Sequence, residues 1–276
     1  MCTVCSCSRI SRQWKFRDLA RVRVIPVLLL ARDGMVKTER FTRPKYLGDP
    51  INAVKIFNEK MVDELILLDI EATERGQVNF DRLGEIVSEA FMPIAYGGGI
   101  QSIEQCAELF KRGVEKVVVN TAAYERPQLV TQASRRFGSQ AVVVSIDSRQ
   151  NVWKRRKAYV RGGAKETKLG PVDLAKQVEE LGAGEIFLTS IEREGTFSGY
   201  DIELLRSVCE AVSIPVIAHG GAGSVQDFER AVVEGGSSAV AAGSMFVFAA
   251  KGEGMLINYP SEPELRENLW SHLTSS

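Results

Sequence analysis

The chain carries an internal repeat that leaves few architectures open to it. Pro93-Ile94-Ala95-Tyr96-Gly97-Gly98-Gly99-Ile100-Gln101-Ser102 aligns with Pro215-Val216-Ile217-Ala218-His219-Gly220-Gly221-Ala222-Gly223-Ser224. The same offset pairs Gly113 with Gly235 and Val119-Asn120-Thr121 with Ala241-Ala242-Gly243. One residue less pairs Glu64–Ile70 with Glu185–Ile191, and Val24–Leu29 pairs with Val142–Asp147, which makes Leu29 the repeat partner of Asp147. Each half thus holds four short β-branched runs in the same order. The runs are continuously apolar rather than alternating, as in strands buried on both faces. Four plus four such strands predict an α/β fold: a closed (β/α)8 TIM barrel built from two similar half-barrels.

Helix-period stretches with start signals separate the runs. Asp49-Pro50 precedes Ile51, Val54 and Phe57, an N-cap followed by proline at the first helical position. Ser102 with Gln105 forms a capping box, Asp201 and Ser224 open two further helices, and Pro263-Glu264-Leu265 begins a last one. Cys106 and Cys209 fall on apolar helix faces and read as core.

The length of 276 residues suits one such barrel, expected over residues 21–276 behind a poorly ordered extension at 1–20. Hydrophobic content of 45% and charged content of 25% exclude a disordered or fibrous chain. Thirty-five basic residues balance thirty-five acidic ones, so no basic field exists for nucleic acid or an anionic membrane. The basic stretch Arg9–Arg23 before Val24–Ala31 imitates a signal peptide. That apolar run is too short to span a bilayer, contains Pro26 and has no small-residue cleavage pattern before Arg32-Asp33-Gly34, so it reads as a buried strand. Cys2, Cys5 and Cys7 lack a fourth zinc ligand nearby, and five cysteines do not make a secreted disulfide framework. No metal or cofactor is called for, and a reducing cytoplasm is expected.

A barrel does its chemistry where strands end and βα-loops begin. The long loop 31–48 holds Lys37, strand five ends in Asp147 and strand seven in His219. Gly98 and Gly99 with Asn120 and Thr121 form one candidate phosphate cradle. Gly220 and Gly221 with Gly243 and Ser244, helped by Gly195, form the other. Glycine pairs also serve tight turns with no ligand; two sets at symmetry-related places favour a ligand with a phosphate at each end.

Asp-Glu-Leu-x-x-Leu-Asp-Ile at 63–70, Gly-Gly-Gly-Ile at 97–100, Phe-Gly-Ser-Gln-Ala-Val-Val-Val at 137–144 and Ile-Asp at 146–147 form a series. It continues with Gly-Ala-Gly-Glu-Ile at 182–186, Leu-Thr-Ser-Ile at 188–191, Gly-Thr-x-x-Gly-Tyr-Asp at 195–201 and Gly-Gly-Ala-Gly at 220–223. Over about residues 21–250 the series resembles the cyclase subunit of imidazole-glycerol-phosphate synthase. The resemblance implies a histidine-biosynthesis-type barrel paired with a glutaminase subunit in a heterodimer. Ammonia from that partner would enter at the N-terminal face and cross the barrel to a bis-phosphorylated substrate. The resemblance further implies an ammonia gate at Arg23, Glu64, Lys116 and Glu185, a first-loop lysine at Lys37 and an acid/base aspartate at Asp147. Read without it, the four charges are equally interstrand salt bridges and Lys37 a solvated loop charge.

Three departures stand out. The family's second acid/base aspartate, at the end of strand one, is replaced by Leu29; its usual serine after strand seven is His219; and its loop-six aspartate is the longer Glu194. Losing a general acid/base typically costs about 10²–10⁴ in rate. His219 offers a replacement acid/base, a ligand for an anion, or a hydrogen bond that fixes the turn before Gly220. With these departures the pattern also resembles a divergent branch linked to lipopolysaccharide and other surface-polysaccharide sugars. There the barrel delivers ammonia to a third, synthetase partner that makes an acetamidino group on a nucleotide-sugar-related molecule. A non-catalytic barrel that senses a bis-phosphate is the third reading. The run Lys154-Arg155-Arg156-Lys157, beside Trp153 and Tyr159, greets an anionic substrate or partner, or is a solvated hairpin face.

Overall fold

Eight parallel strands close on themselves, and four short ones extend the sheet at the open mouth. The computed structural model describes residues 21–32, 34–249 and 254–271. The expected extension at 1–20, Cys2, Cys5, Cys7 and Asp33 lie outside the described residues. The strands are β1 (Arg23–Ala31), β2 (Gly34–Glu39), β3 (Thr42–Gly48), β4 (Leu65–Asp69), β5 (Ile94–Gly97), β6 (Lys116–Val119), β7 (Val142–Gln150), β8 (Arg156–Val160), β9 (Lys165–Glu166), β10 (Glu185–Ser190), β11 (Val216–His219) and β12 (Ala239–Ala242). The ring runs β1-β4-β5-β6-β7-β10-β11-β12 and closes by parallel pairing of β12 with β1. This is the expected (β/α)8 TIM barrel.

Side chains along each strand point alternately to the barrel axis and to the helices. Two separate apolar cores result. The outer one packs the strands against the helices and includes Leu28, Phe57, Leu67, Ile86, Leu109, Val144 and Phe228. The inner one fills the axis. Ile25, Ala95, Val143 and Ile217 come from the odd barrel strands, and Ile66, Val118, Phe187 and Ala239 from the even ones. Contribution of alternating strands to successive layers is how barrels of this type fill their interior.

The helix starts fall where the sequence places them. Asp49 accepts a hydrogen bond from Ile51 N ahead of Pro50–Glu59, and Asp201 accepts one from Leu204 N. Ser102 and Gln105 form a reciprocal capping box, as do Ser224 and Asp227. Cys106 is fully buried and Cys209 packs against the same outer core. Among the described residues, no helix is long and apolar enough to cross a membrane.

One expectation is corrected. The segment 31–48 is no loop: β2 pairs antiparallel with the end of β1 and then with β3. Arg40 and Phe41 join β2 to β3 with φ of 53° and 62°. A two-residue hairpin turn of type I′ has positive φ at both positions and normally uses Asn or Gly there. Arg-Phe carries no such signal. The turn is held from outside instead: Arg40 N donates to the Glu194 carbonyl at 2.9 Å and Phe41 N to Glu194 Oε2 at 3.4 Å.

The Ser102 cap gives a direct check on local energetics. Ser102→Ala should lower stability by about 1 kcal/mol in urea unfolding. An unchanged midpoint would show that the box contributes nothing to this helix.

Candidate active site

Four charges sit at the bottom of the barrel, where strands begin. Arg23 opens β1, Lys116 opens β6 and Glu185 opens β10, while Glu64 directly precedes β4. Arg23 reaches Glu64 at 2.5 Å and Glu185 at 2.7 Å; Lys116 reaches the same two carboxylates at 2.9 and 3.2 Å. Plus and minus therefore alternate around one closed ring. Burial works against the Arg23 charge, but Glu185 and Glu64 outweigh it and raise its pKa. Glu64 is 3% exposed, and its Oε1 has no hydrogen-bond partner among the described residues.

At the other end of the axis, polar groups replace the apolar ones. Asp147, Thr189 and His219 stand side by side on β7, β10 and β11, in direct register. Asp147 is buried; Ser145 Oγ donates to its Oδ1 at 3.1 Å and Asn120 Nδ2 to its Oδ2 at 3.2 Å. Desolvation raises the Asp147 pKa to about 7, against hydrogen bonds from Ser145 and Thr189 that lower it. His219 Nδ1 lies 3.1 Å from Thr189 Oγ1, and its ring stacks on Phe187 at 4.8 Å. Burial, then the nearby Lys37 charge, lowers the His219 pKa to about 3, so the imidazole is neutral.

Lys37 lies on β2 rather than in a flexible loop, and is 5% exposed. Its ammonium pairs with the buried Glu194 carboxylate, which also accepts from Thr38 Oγ1 at 3.2 Å. Burial lowers the Lys37 pKa to about 7, opposed by the Glu39 carboxylate. The extra methylene of Glu194 over aspartate carries its carboxylate to the hairpin.

The two predicted phosphate cradles differ. Gly195, Gly220, Gly221, Gly243 and Ser244 converge on one cleft, which Glu194 and His219 also line. A Cβ on Gly243 would lie 3.1 Å from Lys37 Cε, so the lysine stem runs along the rim of this cleft. The first set is partly committed elsewhere. Asn120 Nδ2 serves Asp147 and the Ser145 carbonyl, and Thr121 Oγ1 accepts from Arg161 N at 3.0 Å. Gly98 and Gly99 adopt positive φ against Asp69 and Ala72, where a side chain would collide, so both are required by the backbone itself. Leu29, on the first strand, belongs to the inner core at the position the repeat matches to Asp147.

Residues 23–251 match the family described as histidine biosynthesis protein. The chain belongs to this family. It is 49% identical over 252 residues to the putative imidazole glycerol phosphate synthase subunit hisF2 of Pseudomonas aeruginosa, covering 90% of this chain and 99% of that protein. Identity to the putative subunit HisF of Leptospira interrogans is 42%, covering 89% and 98% of the two chains. Identity to the imidazole glycerol phosphate synthase subunit HisF of Pyrobaculum aerophilum is 45%, covering 82% and 90%.

The sequence places Thr189 at the end of strand six but gives it no role, and nothing in it signals the ion pair between Lys37 and Glu194. Thr189 is the last residue but one of β10, in a run the family motif includes, yet a hydroxyl has no distinctive spacing. Half of the basic run after β7 is occupied: Arg156 pairs with Asp201 at 2.8 Å and Lys157 donates to the Lys168 carbonyl. Trp153, 75% exposed, stands at the tip of that hairpin.

Because the folded pKa of Asp147 lies above the ordinary value of about 4, its contribution to stability is complete at low pH. That contribution is lost as pH rises through about 7. Asp147→Asn should flatten this dependence and be the more stable protein at pH 8 by a few kcal/mol. Parallel stability–pH curves for the two proteins would contradict the burial argument.

Proposed function

We propose that this chain is the synthase-type subunit of a glutamine-dependent complex, receiving ammonia at the charged ring and using it on a phosphorylated substrate at the mouth. The observation that carries the reading is the vertical order of the inner residues. A closed ring of charge is followed by an apolar axis and then by a polar mouth with a glycine-lined cleft. Neutral ammonia loses little on entering an apolar interior, whereas ammonium would leave its hydration behind. The ring must open for passage, and alternating salt bridges can part without leaving any charge wholly unpaired.

A glutaminase subunit is the partner that fits the N-terminal face. Met61 and Phe91, 80% and 89% exposed, lie in loops on this face, tied together by Asn58. Adjacent exposed apolar side chains are what a protein interface covers. In the cleft, backbone N–H groups of the glycine turns would hold a phosphate with Lys37 beside them. Asp147, with a proton available near neutral pH, is the group suited to acid/base work.

Leu29 supports a second reading. A leucine opposite Asp147 cannot hold a proton, so ring closure loses one of two acid/base groups. In this reading the barrel passes ammonia on to a separate synthetase that forms an acetamidino group on a surface-polysaccharide sugar. Incubation with ammonium and the bis-phosphorylated ribosyl substrate separates the two: imidazole product supports the synthase reading, and its absence rejects ring closure. Lys116→Ala should lower glutamine-dependent product formation by about tenfold or more while leaving the ammonium-dependent rate within about twofold. Equal losses in both assays would contradict a role for the ring in ammonia transfer.

A further inference from the structure

We propose that Asp147, Thr189 and His219 form a proton relay in which protonation of Asp147 switches His219 from its Nδ1–H to its Nε2–H tautomer. The proposal rests on the reading of the barrel mouth as the reaction site and adds to it a route between two groups. Three adjacent strands set the spacing. Thr189 stands between Asp147 and His219 in the strand register, its hydroxyl 3.1 Å from His219 Nδ1 and its side chain beside that of Asp147 on the neighbouring strand.

A threonine hydroxyl has one proton to donate, so its two partners cannot be served in the same sense. When Asp147 is ionised, Thr189 donates to the carboxylate and must accept from His219, which then carries its proton on Nδ1. His219 Nε2 is left as a lone pair. When Asp147 is protonated, it donates to Thr189 Oγ1, Thr189 donates to Nδ1, and the imidazole carries its proton on Nε2. Transfer is balanced at every atom. The carboxyl proton passes to Thr189 Oγ1, the hydroxyl proton passes to Nδ1, and the Nε2 proton leaves for an acceptor in the cleft. At Thr189 one O–H bond breaks as another forms, at His219 the Nε2–H bond breaks as the Nδ1–H bond forms, and Asp147, which gives up its carboxyl proton, is the one residue whose net charge changes.

The position of His219 gives the relay a use. Its Nδ1 is taken by Thr189, while the residue lines the cleft with Gly220, Gly221, Gly243 and Ser244. A proton taken up at Asp147 therefore emerges on the side of the mouth where an anionic group of the substrate would sit. Across the barrel from Asp147, Leu29 offers no second carboxylate. His219, a neutral imidazole that exchanges protons without ever holding two, supplies the second proton-handling point.

The charged groups facing this chain meet at its His219 end: Lys37 from β2, paired with Glu194 from the turn after β10. Uncharged groups face the Asp147 end: Ser145 from the same strand and Asn120 from the end of β6, with the Tyr159 carbonyl of β8 behind it. Lys37 titrates in the same range as Asp147, so a control must separate the two.

The chain has two histidines, His219 and His272, which makes the test direct. In His272→Gln protein labelled with 15N in the imidazole ring, a single side chain reports its tautomer by NMR. Between about pH 5.5 and about pH 8.5 the Nε2–H form should give way to the Nδ1–H form. The crossover should lie near pH 7. Thr189→Val and Asp147→Asn should each abolish the crossover, Thr189→Ser should restore it, and Lys37→Met should retain it. One unchanging tautomer in the parent, titration to imidazolium in this range, a crossover that survives Thr189→Val, or its loss in Lys37→Met would each overturn the relay. The measurement uses no substrate. A silent relay in a protein that makes imidazole product therefore sinks the relay alone, and a working relay in a protein that makes none sinks only the ring-closing reading.

Discussion

Alternation of side chains along eight parallel strands, closed into a ring, governs every other feature of this protein. Closure forces every second side chain onto a common axis, where it must either pack or be paired. The chain meets this demand in three ways along the axis. Arg23, Glu64, Lys116 and Glu185 neutralise one another at the base, apolar residues fill the middle, and hydrogen-bonded polar groups finish the top. Removing one member of a buried ion pair typically costs about 3–5 kcal/mol, because the partner is left uncompensated. In a four-membered ring each charge has two partners, so loss of one leaves the others still paired.

Low dielectric surroundings account for the chemistry of the mouth. Desolvation is the leading influence on Asp147, Lys37 and His219 alike. It favours the neutral form of each: the carboxyl holds its proton longer, while the amine and imidazole give theirs up sooner. Glu194, His219 and Leu29 all bear on this place. Glu194 pins Lys37 and the β2–β3 hairpin, His219 takes the hydroxyl of Thr189 two strands from Asp147, and Leu29 adds hydrocarbon to the inner core.

Much of the barrel is legible in the sequence because its signals are local and repeated. Strand runs flanked by Asp49-Pro50, Ser102-x-x-Gln105 and Ser224 declare their own ends, and the repeat fixes which strand follows which. The β2–β3 hairpin is not legible, since Arg40 and Phe41 adopt positive φ under contacts from Glu194, some 150 residues away. A turn imposed by distant groups leaves no trace in its own residues. The site is legible in part for the same reason. Glycines forced by close backbone approach stand out, as do a carboxylate ending an apolar strand and charges beginning others. Whether Asn120 faces a ligand or Asp147 depends on a side-chain rotamer, which no spacing encodes.

Under the proposed function, ammonia travels inside the barrel and does not mix with bulk solvent. In a complex with the proposed glutaminase subunit, glutamine labelled with 15N at the amide should be supplied together with a large excess of unlabelled ammonium. An internal route predicts product that retains the glutamine label despite the excess. Product whose label falls to the bulk ratio would contradict it.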